Sequence, residues 1–121
     1  MFNFNRAFIV IMTLLLTVSC SSHEKQQNEK KASLYFGQGT QYLVAKKYTD
    51  ALSSLLKANK LKPNDPEILN NLGMAYFFKD QKEKATFYLN KAIELKKNNS
   101  DAKSNLATLY YQDKKYLQAR D

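Results

Sequence analysis

The chain has 121 residues, with 19 Lys and Arg against 11 Asp and Glu, and its formal net charge is +8. One Cys, one His and three Gly exclude an internal disulfide framework, a zinc site of His and Cys ligands, and a glycine-rich phosphate loop. No His lies beyond His23, and no carboxylate pair stands in an apolar run. The sequence therefore predicts no enzymatic site, no cofactor and no small-molecule substrate.

The first twenty residues have the composition of an export signal. Arg6 precedes an uncharged run of twelve residues, 7–18. This run is shorter than the roughly 20 residues of a membrane-spanning helix, and its length is typical of a secretory signal. It ends in the letters LTVSC at Cys20, the only Cys of the chain. Small and apolar residues directly before such a Cys resemble the lipobox of bacterial lipoproteins.

The resemblance to bacterial lipoproteins implies a cleaved signal peptide over residues 1–19 and a lipid on Cys20. In that family the Cys thiol carries a diacylglyceryl group and the new amine is acylated. The residue after the Cys is Ser21 and not Asp. By resemblance to enterobacterial lipoproteins, this points to the outer membrane of a bacterial cell envelope, facing the periplasm. The alternative is an uncleaved anchor or ordinary secretion. Residues 20–31 contain few apolar side chains and are predicted to form a flexible tether.

The rest of the chain repeats with a period of 34 residues. Aligning 32–65 with 66–99 gives nine identical positions, among them Gly39/Gly73, Tyr42/Tyr76, Ala51/Ala85, Leu55/Leu89 and Ala58/Ala92. The period and these positions resemble the tetratricopeptide repeat, a helix–turn–helix unit. The resemblance implies an all-α solenoid of about 2.6 repeats, with the third repeat partial over 100–121.

Helix ends are visible in the sequence. Asp65 and Pro66 are predicted as an N-cap followed by a first-turn proline. Acidic residues fall in predicted first turns, where the helix dipole favours them, at Asp50, Glu67, Glu83 and Asp101. The predicted helices are 32–46, 49–61, 66–79, 82–97 and 100–113, and a sixth is expected to begin within 114–121. Tyr116 and Ala119 keep the repeat pattern to the end. We therefore expect the front part of a longer protein, the alternative being that 100–113 caps the solenoid.

The positive charge does not predict nucleic-acid binding. Lysine pairs lie at predicted helix C-termini, where each cation is favourable by roughly 0.3–1 kcal/mol, at Lys46/Lys47, Lys60/Lys62, Lys96/Lys97 and Lys114/Lys115. Arg120 is the only Arg after the signal, although Arg leads in bidentate phosphate contacts. Weak attraction to anionic lipid or envelope polymer stays open as an alternative role of the lysines.

In the tetratricopeptide family, the first helices of successive repeats line a concave groove that binds a peptide. The groove positions carried over to this chain are unusually apolar: Phe36, Leu43, Val44, Met74, Phe77, Phe78 and Tyr111. Such a surface suits a protein partner that presents an amphipathic helix or an extended peptide. Phe36 and Thr40 replace the Lys and Asn of the family's carboxylate-binding version, which disfavours capture of a peptide C-terminus. The alternative is that some of these side chains pack between repeats.

Together these features predict a lipid-anchored protein-binding adaptor in envelope assembly. Its layout resembles the pilotin lipoproteins of type IV pilus assembly. Two alternatives stay open: a structural tether that binds anionic polymer or lipid through its lysines, and the N-terminal part of a larger repeat protein.

Overall fold

The computed structural model describes the backbone of residues 2–120 and the side chains of residues 6–13 and 21–115. This part of the chain forms five helices: α1 (Phe2–Val44), α2 (Tyr48–Leu61), α3 (Pro66–Phe78), α4 (Lys82–Leu95) and α5 (Ser100–Arg120). Each helix packs on its neighbours in the sequence, and α3 also contacts both α1 and α5. The helices therefore form two helix pairs, α1–α2 and α3–α4, with α5 stacked on the second. This is the predicted all-α repeat fold.

The three inner helices lie where the sequence predicts them, within two residues at each end. The Asp65 cap is confirmed: its Oδ1 accepts hydrogen bonds from the backbone N–H of Glu67 (3.0 Å) and of Ile68 (3.2 Å), with Pro66 in the first turn. The four acidic residues predicted in first turns also lie there. These ends agree because capping depends on residues that are adjacent in the chain.

The repeated small residues let the paired helices approach closely, as predicted. A Cβ on Gly39 would lie 2.6 Å from Leu55 Cγ, and a Cβ on Gly73 would lie 2.6 Å from Leu89 Cγ. The repeated alanines of α2 and α4 have no exposed surface: Ala51, Ala58, Ala85 and Ala92. Leu55 and Leu89 are fully buried. The identical positions of the two repeats are therefore the contact between the two helices of each pair.

The turns within the first two repeats have the same backbone geometry without glycine. Lys46 and Asp80, one period apart, have φ angles of 59° and 58°. In each turn the next residue's N–H reaches back into the preceding helix, from Lys47 to Tyr42 O (2.8 Å) and from Gln81 to Tyr76 O (2.9 Å). These bonds satisfy carbonyls at the helix end and offset the cost of a left-handed residue.

The first helix is much longer than predicted, and the predicted flexible tether is wrong in conformation. Residues 21–31 belong to α1, which continues without a break from Phe2 to Val44. Glu, Lys and Gln dominate this segment, and they are good helix formers. Its side chains also lie beside the end of α2, at Leu61, Lys62 and Pro63. In the described part of the chain, no helix has both the length and the hydropathy needed to cross a membrane.

The last helix is also longer than predicted. The expected turn near position 114 and the start of a sixth helix are replaced by a continuous α5 that ends at Arg120. Lys114 and Lys115 therefore lie inside a helix, not at its C-terminus. In the first two repeats the second helix is held by a buried Leu and a buried Ala that follow the turn, such as Leu89 and Ala92. In α5 the helix continues through the position of that turn.

Candidate functional site

The helices α1, α3 and α5 lie side by side and form one face of the molecule. Their side chains are joined by hydrogen bonds: Asn105 Nδ2 donates to Asn70 Oδ1 (2.9 Å), and Asn70 Nδ2 donates to Asn71 Oδ1 (3.3 Å). Asn71 Nδ2 then donates to Thr40 Oγ1 (3.0 Å). We call Thr40, Asn70, Asn71 and Asn105 the amide ladder. It crosses all three repeats on the face where the family resemblance predicts the groove.

Two cavities open on this face, next to the N-terminal ends of α3 and α5. One, of about 250 Å³, lies between α1 and the start of α3. The other, of about 200 Å³, lies between α1, α3 and the α4–α5 turn. Phe36 and Glu67 line both cavities, so the two are adjacent. Asn70 and Asn71 of the amide ladder line the second cavity.

Charged side chains surround these cavities. Four carboxylates and two lysines line them: Glu29, Asp65, Glu67, Asp101, Lys62 and Lys96. We call this part of the groove, with its six charged residues, the acidic end. Its net charge of −2 contrasts with the formal +8 of the whole chain. Glu67 and Asp101 are predicted from the sequence as first-turn acids, but their place beside one cavity follows only from the stacking of α3 on α5.

One ion pair at the acidic end has a clear electrostatic effect. Lys62 Nζ lies 2.8 Å from Asp65 Oδ2. Burial acts to raise the pKa of Asp65, but the hydrogen bond from Lys62 and those from the capped backbone N–H groups outweigh it, so the pKa of Asp65 lies below its ordinary value. The hydrogen bond to Asp65 raises the pKa of Lys62, and the charges of Glu29 and Glu67 act in the same direction. The acidic end therefore already holds one cation of the protein.

The predicted apolar groove residues form a separate region. In α3, Glu67, Asn70, Met74 and Phe77 follow one another at helical spacing, so they lie along one side of the helix. The same spacing places Leu43 beyond Phe36 in α1. We call the six predicted residues toward the C-terminal ends of the helices the apolar strip: Leu43, Val44, Met74, Phe77, Phe78 and Tyr111. The groove is thus polar and acidic at one end of its helices and apolar at the other.

Members of the apolar strip differ in how far their side chains are exposed. Val44 and Tyr111 are 82% and 63% exposed. Leu43 and Phe77 are half-buried and pack against the core, as does Phe36 outside the strip. Phe78 stacks on Tyr48 of the preceding repeat, with the ring centroids 4.8 Å apart. The alternative of packing between repeats therefore holds in part for Phe36, Leu43, Phe77 and Phe78. Val44 is largely exposed, and so is Tyr111, although the Lys115 ammonium lies 5.3 Å from the centroid of its ring.

The predicted lipid site falls on a residue whose side chain is not described. Cys20 belongs to the backbone of α1, but its side chain lies outside the described residues, and the predicted lipid anchor stays a prediction. Among the side chains that the structure describes, no three His, Cys, Asp or Glu residues come together as a metal site.

Comparisons with known proteins agree with this geometry. Two patterns of one family match the chain, described as "TPR repeat" over residues 39–79 and "Tetratricopeptide repeat" over residues 66–99. Among solved structures, the "Second TPR of Spaghetti (RPAP3) bound to HSP90 peptide SRMEEVD" superposes with a TM-score of 0.67 at 23% identity, covering 78% of this chain and 88% of that one.

Two curated relatives were found. The Photosystem I assembly protein Ycf3 of Rippkaea orientalis is 30% identical over 110 residues, which are 88% of this chain and 61% of the relative. The anaphase-promoting complex subunit CDC16 of Saccharomyces cerevisiae is 38% identical over 60 residues, which are 50% of this chain and 7% of the relative. The chain thus spans less than two thirds of each relative's length. The repeat period, the paired-helix packing and the two family matches, which together cover residues 39–99, establish that the chain belongs to the tetratricopeptide repeat family.

Proposed function

We propose that this protein is a non-enzymatic adaptor, held at a bacterial membrane by a lipid on Cys20, that binds a protein partner in the groove of α1, α3 and α5. The observation that carries the proposal is the groove itself: an amide ladder across three repeats, flanked by an apolar strip with two largely exposed members, Val44 and Tyr111. Exposed apolar surface of this kind marks interaction sites. Amide side chains with unused N–H and C=O capacity can hydrogen-bond a peptide backbone.

The partner in this proposal is an amphipathic helix or an extended peptide. The apolar strip suits anchors at i, i+3, i+4 and i+7 of a helix. The solved neighbour binds the HSP90 peptide SRMEEVD, which contains three acidic residues and one basic residue. Capture of a peptide carboxylate is not part of the proposal, because Phe36 and Thr40 occupy the positions where that mode needs Lys and Asn.

The cellular setting is proposed from the sequence. The lipobox-like run at Cys20 supports attachment to the envelope, and Ser21 supports the outer membrane facing the periplasm. The Ycf3 relative is an assembly protein, which supports a role in assembly without indicating which complex this chain serves. A pilotin-like role in type IV pilus assembly rests on the layout of anchor and repeats alone.

Aspartate substitutions at exposed positions test the groove. Val44→Asp and Tyr111→Asp place a charge on the apolar strip at little cost in folding, because both side chains are largely exposed. Phe87→Asp is the matched control, since Phe87 is 59% exposed on α4, outside the groove. After circular dichroism confirms equal helicity, crosslinking in the native membrane should lose the partner adduct in the two groove variants and retain it in the control. A full adduct yield from folded groove variants would contradict the proposal. Salt-sensitive binding that survives them would instead favour the lysine tether.

Intact mass spectrometry tests the anchor separately. Protein isolated from its native membrane should lack residues 1–19 and carry a diacylglyceryl and an acyl group on Cys20. Cys20→Ser should abolish this mass increase and release the protein from the membrane. A wild-type mass that retains residues 1–19 with an unmodified Cys20 would refute the anchor and leave the groove hypothesis untouched.

A further inference from the structure

We propose that the partner segment bound in the groove is basic: its Lys or Arg side chains lie at the acidic end, beside Glu67 and Asp101, while its apolar side chains lie on the apolar strip. This inference rests on the proposed peptide-binding function and names the chemical class of the peptide. It also gives the bound segment a direction across α3, from the apolar strip to the acidic end.

The charge distribution at the groove carries the inference. Glu67 and Asp101 lie in the first turns of α3 and α5, and both line the 200 Å³ cavity together with Asn70 and Asn71. No ion pair is present for Glu67 or Asp101 among the described side chains, and both residues are exposed. Lys96 lines the same cavity, so one of the two negative charges there has no opposing charge. Glu29 adds a further carboxylate in the adjoining cavity.

Lys62 shows how a cation is held in this place. Its ammonium lies 2.8 Å from Asp65, and the charges of Glu29 and Glu67 favour its protonated form as well. Lys62 neutralises Asp65 but leaves Glu29 and Glu67 without a direct partner. A cationic side chain from a bound peptide would therefore enter a part of the groove whose lining side chains carry net negative charge, although the protein as a whole is positive.

The amide ladder places the backbone of such a peptide. After the ladder bonds are made, Asn70 and Asn71 each keep one N–H, and Asn105 keeps one N–H and its carbonyl oxygen. These groups lie between the acidic end and the apolar strip. A segment that runs from the apolar strip to the acidic end passes these groups, which can hydrogen-bond its free backbone groups.

The test compares two fluorescein-labelled peptides that share apolar residues at i, i+3, i+4 and i+7 and differ only in flanking Lys or flanking Glu. Binding to the full chain in detergent is measured by fluorescence anisotropy. The Lys peptide should bind tighter, with a ratio on the order of tenfold for two partly exposed ion pairs. Non-specific attraction to a protein of charge +8 would favour the Glu peptide, so the expected preference has the opposite sign to the background.

Matched variants assign the preference to the groove. Glu67→Gln with Asp101→Asn should remove most of the preference for the Lys peptide. The control variant Glu83→Gln with Glu94→Gln changes the charge by the same amount on α4, outside the groove. Like the groove variant, it removes an acid from a first turn of a helix. It should therefore keep the preference for the Lys peptide. Equal or tighter binding of the Glu peptide, or a preference unchanged by the groove variant, would overturn the inference alone. If neither peptide binds the wild-type chain, the proposed groove function fails together with the inference.

Discussion

Replacing Gly39 by Ala tests the close contact between α1 and α2, and Gly37 in the same helix supplies the matched control. A Cβ on Gly39 would lie 2.6 Å from Leu55 Cγ and 2.8 Å from its Cδ2, whereas a Cβ on Gly37 would meet nothing within 4 Å. Ordinary carbon contacts are about 3.5–4.0 Å apart. Gly39→Ala therefore requires α2 or Leu55 to move by roughly 1 Å.

The magnitude follows from two opposing effects. Both substitutions gain about 1 kcal/mol because Ala is a better helix former than Gly. Overpacking a well-packed core typically costs about 1–3 kcal/mol, and only Gly39→Ala incurs this cost. We expect Gly37→Ala to stabilise the protein by about 0.5–1 kcal/mol and Gly39→Ala to lower the free energy of unfolding by about 0–2 kcal/mol. The difference between the free energies of unfolding of the two variants measures the cost of overpacking at Gly39.

Thermal and urea denaturation followed by circular dichroism measure both variants. A difference of about 1–3 kcal/mol corresponds to at least about 4 °C in Tm for a domain of this size. In a Leu55→Ala background the nearest clashing atoms are absent, so Gly39→Ala should become neutral or stabilising, which a double-mutant cycle detects as coupling. If Gly39→Ala stabilises the wild-type protein as much as Gly37→Ala does, the packing argument is refuted.

Three further predictions concern stability. Leu89→Ala should cost about 2–5 kcal/mol because Leu89 is fully buried, while Leu56→Ala, at 41% exposure, should cost much less; equal Tm losses would contradict the assigned core. Asp65→Ala should cost about 1 kcal/mol at neutral pH through loss of the cap. Since the pKa of folded Asp65 is depressed, the stability that Asp65 contributes is present above the ordinary pKa of 3.8 and is lost as pH falls through the lower folded pKa. Urea denaturation at a series of pH values should show the free energies of unfolding of wild type and variant converging there. A difference that persists at low pH would refute the assignment. Lys46→Gly should raise Tm slightly, since Lys46 has a φ of 59° and is exposed; a clear fall in Tm would show that the turn depends on its side chain.

Much of the inner fold was predictable because it depends on local rules. The N-cap at Asp65, the proline after it and the first-turn acids act through neighbouring backbone groups, so their outcome does not depend on distant residues. The outer parts of α1 and α5 were not predictable in the same way. Residues 21–31 have a composition that suits either a solvated tether or a helix, and the contact with Leu61, Lys62 and Pro63 becomes visible only in the structure.

Family positions predicted which residues line the groove, but they could not show which of those side chains are exposed. Family positions selected Phe36 and the six residues of the apolar strip, yet Phe77 proves to be partly core and Phe78 stacks on Tyr48. The amide ladder was missed, although one signal was available: Asn71 and Asn105 are one period apart, and neither is needed for the helix-pair contact. Whether such residues bond to each other depends on the offset between stacked repeats, which the period alone does not specify.

By itself, the sequence determined the repeat, the inner helices and the small residues at which they meet, because spacing of 34 residues and helix-capping chemistry are properties of the chain read in order. It also marked Cys20, the only Cys, at the end of a signal-like run. Only the tertiary structure decided which apolar residues are free and which are core, and it alone brought Glu67 and Asp101 to one cavity beside an ammonium already held by Asp65. The physical reason is that burial and electrostatic potential depend on the distances between residues from different repeats, and stacking sets those distances.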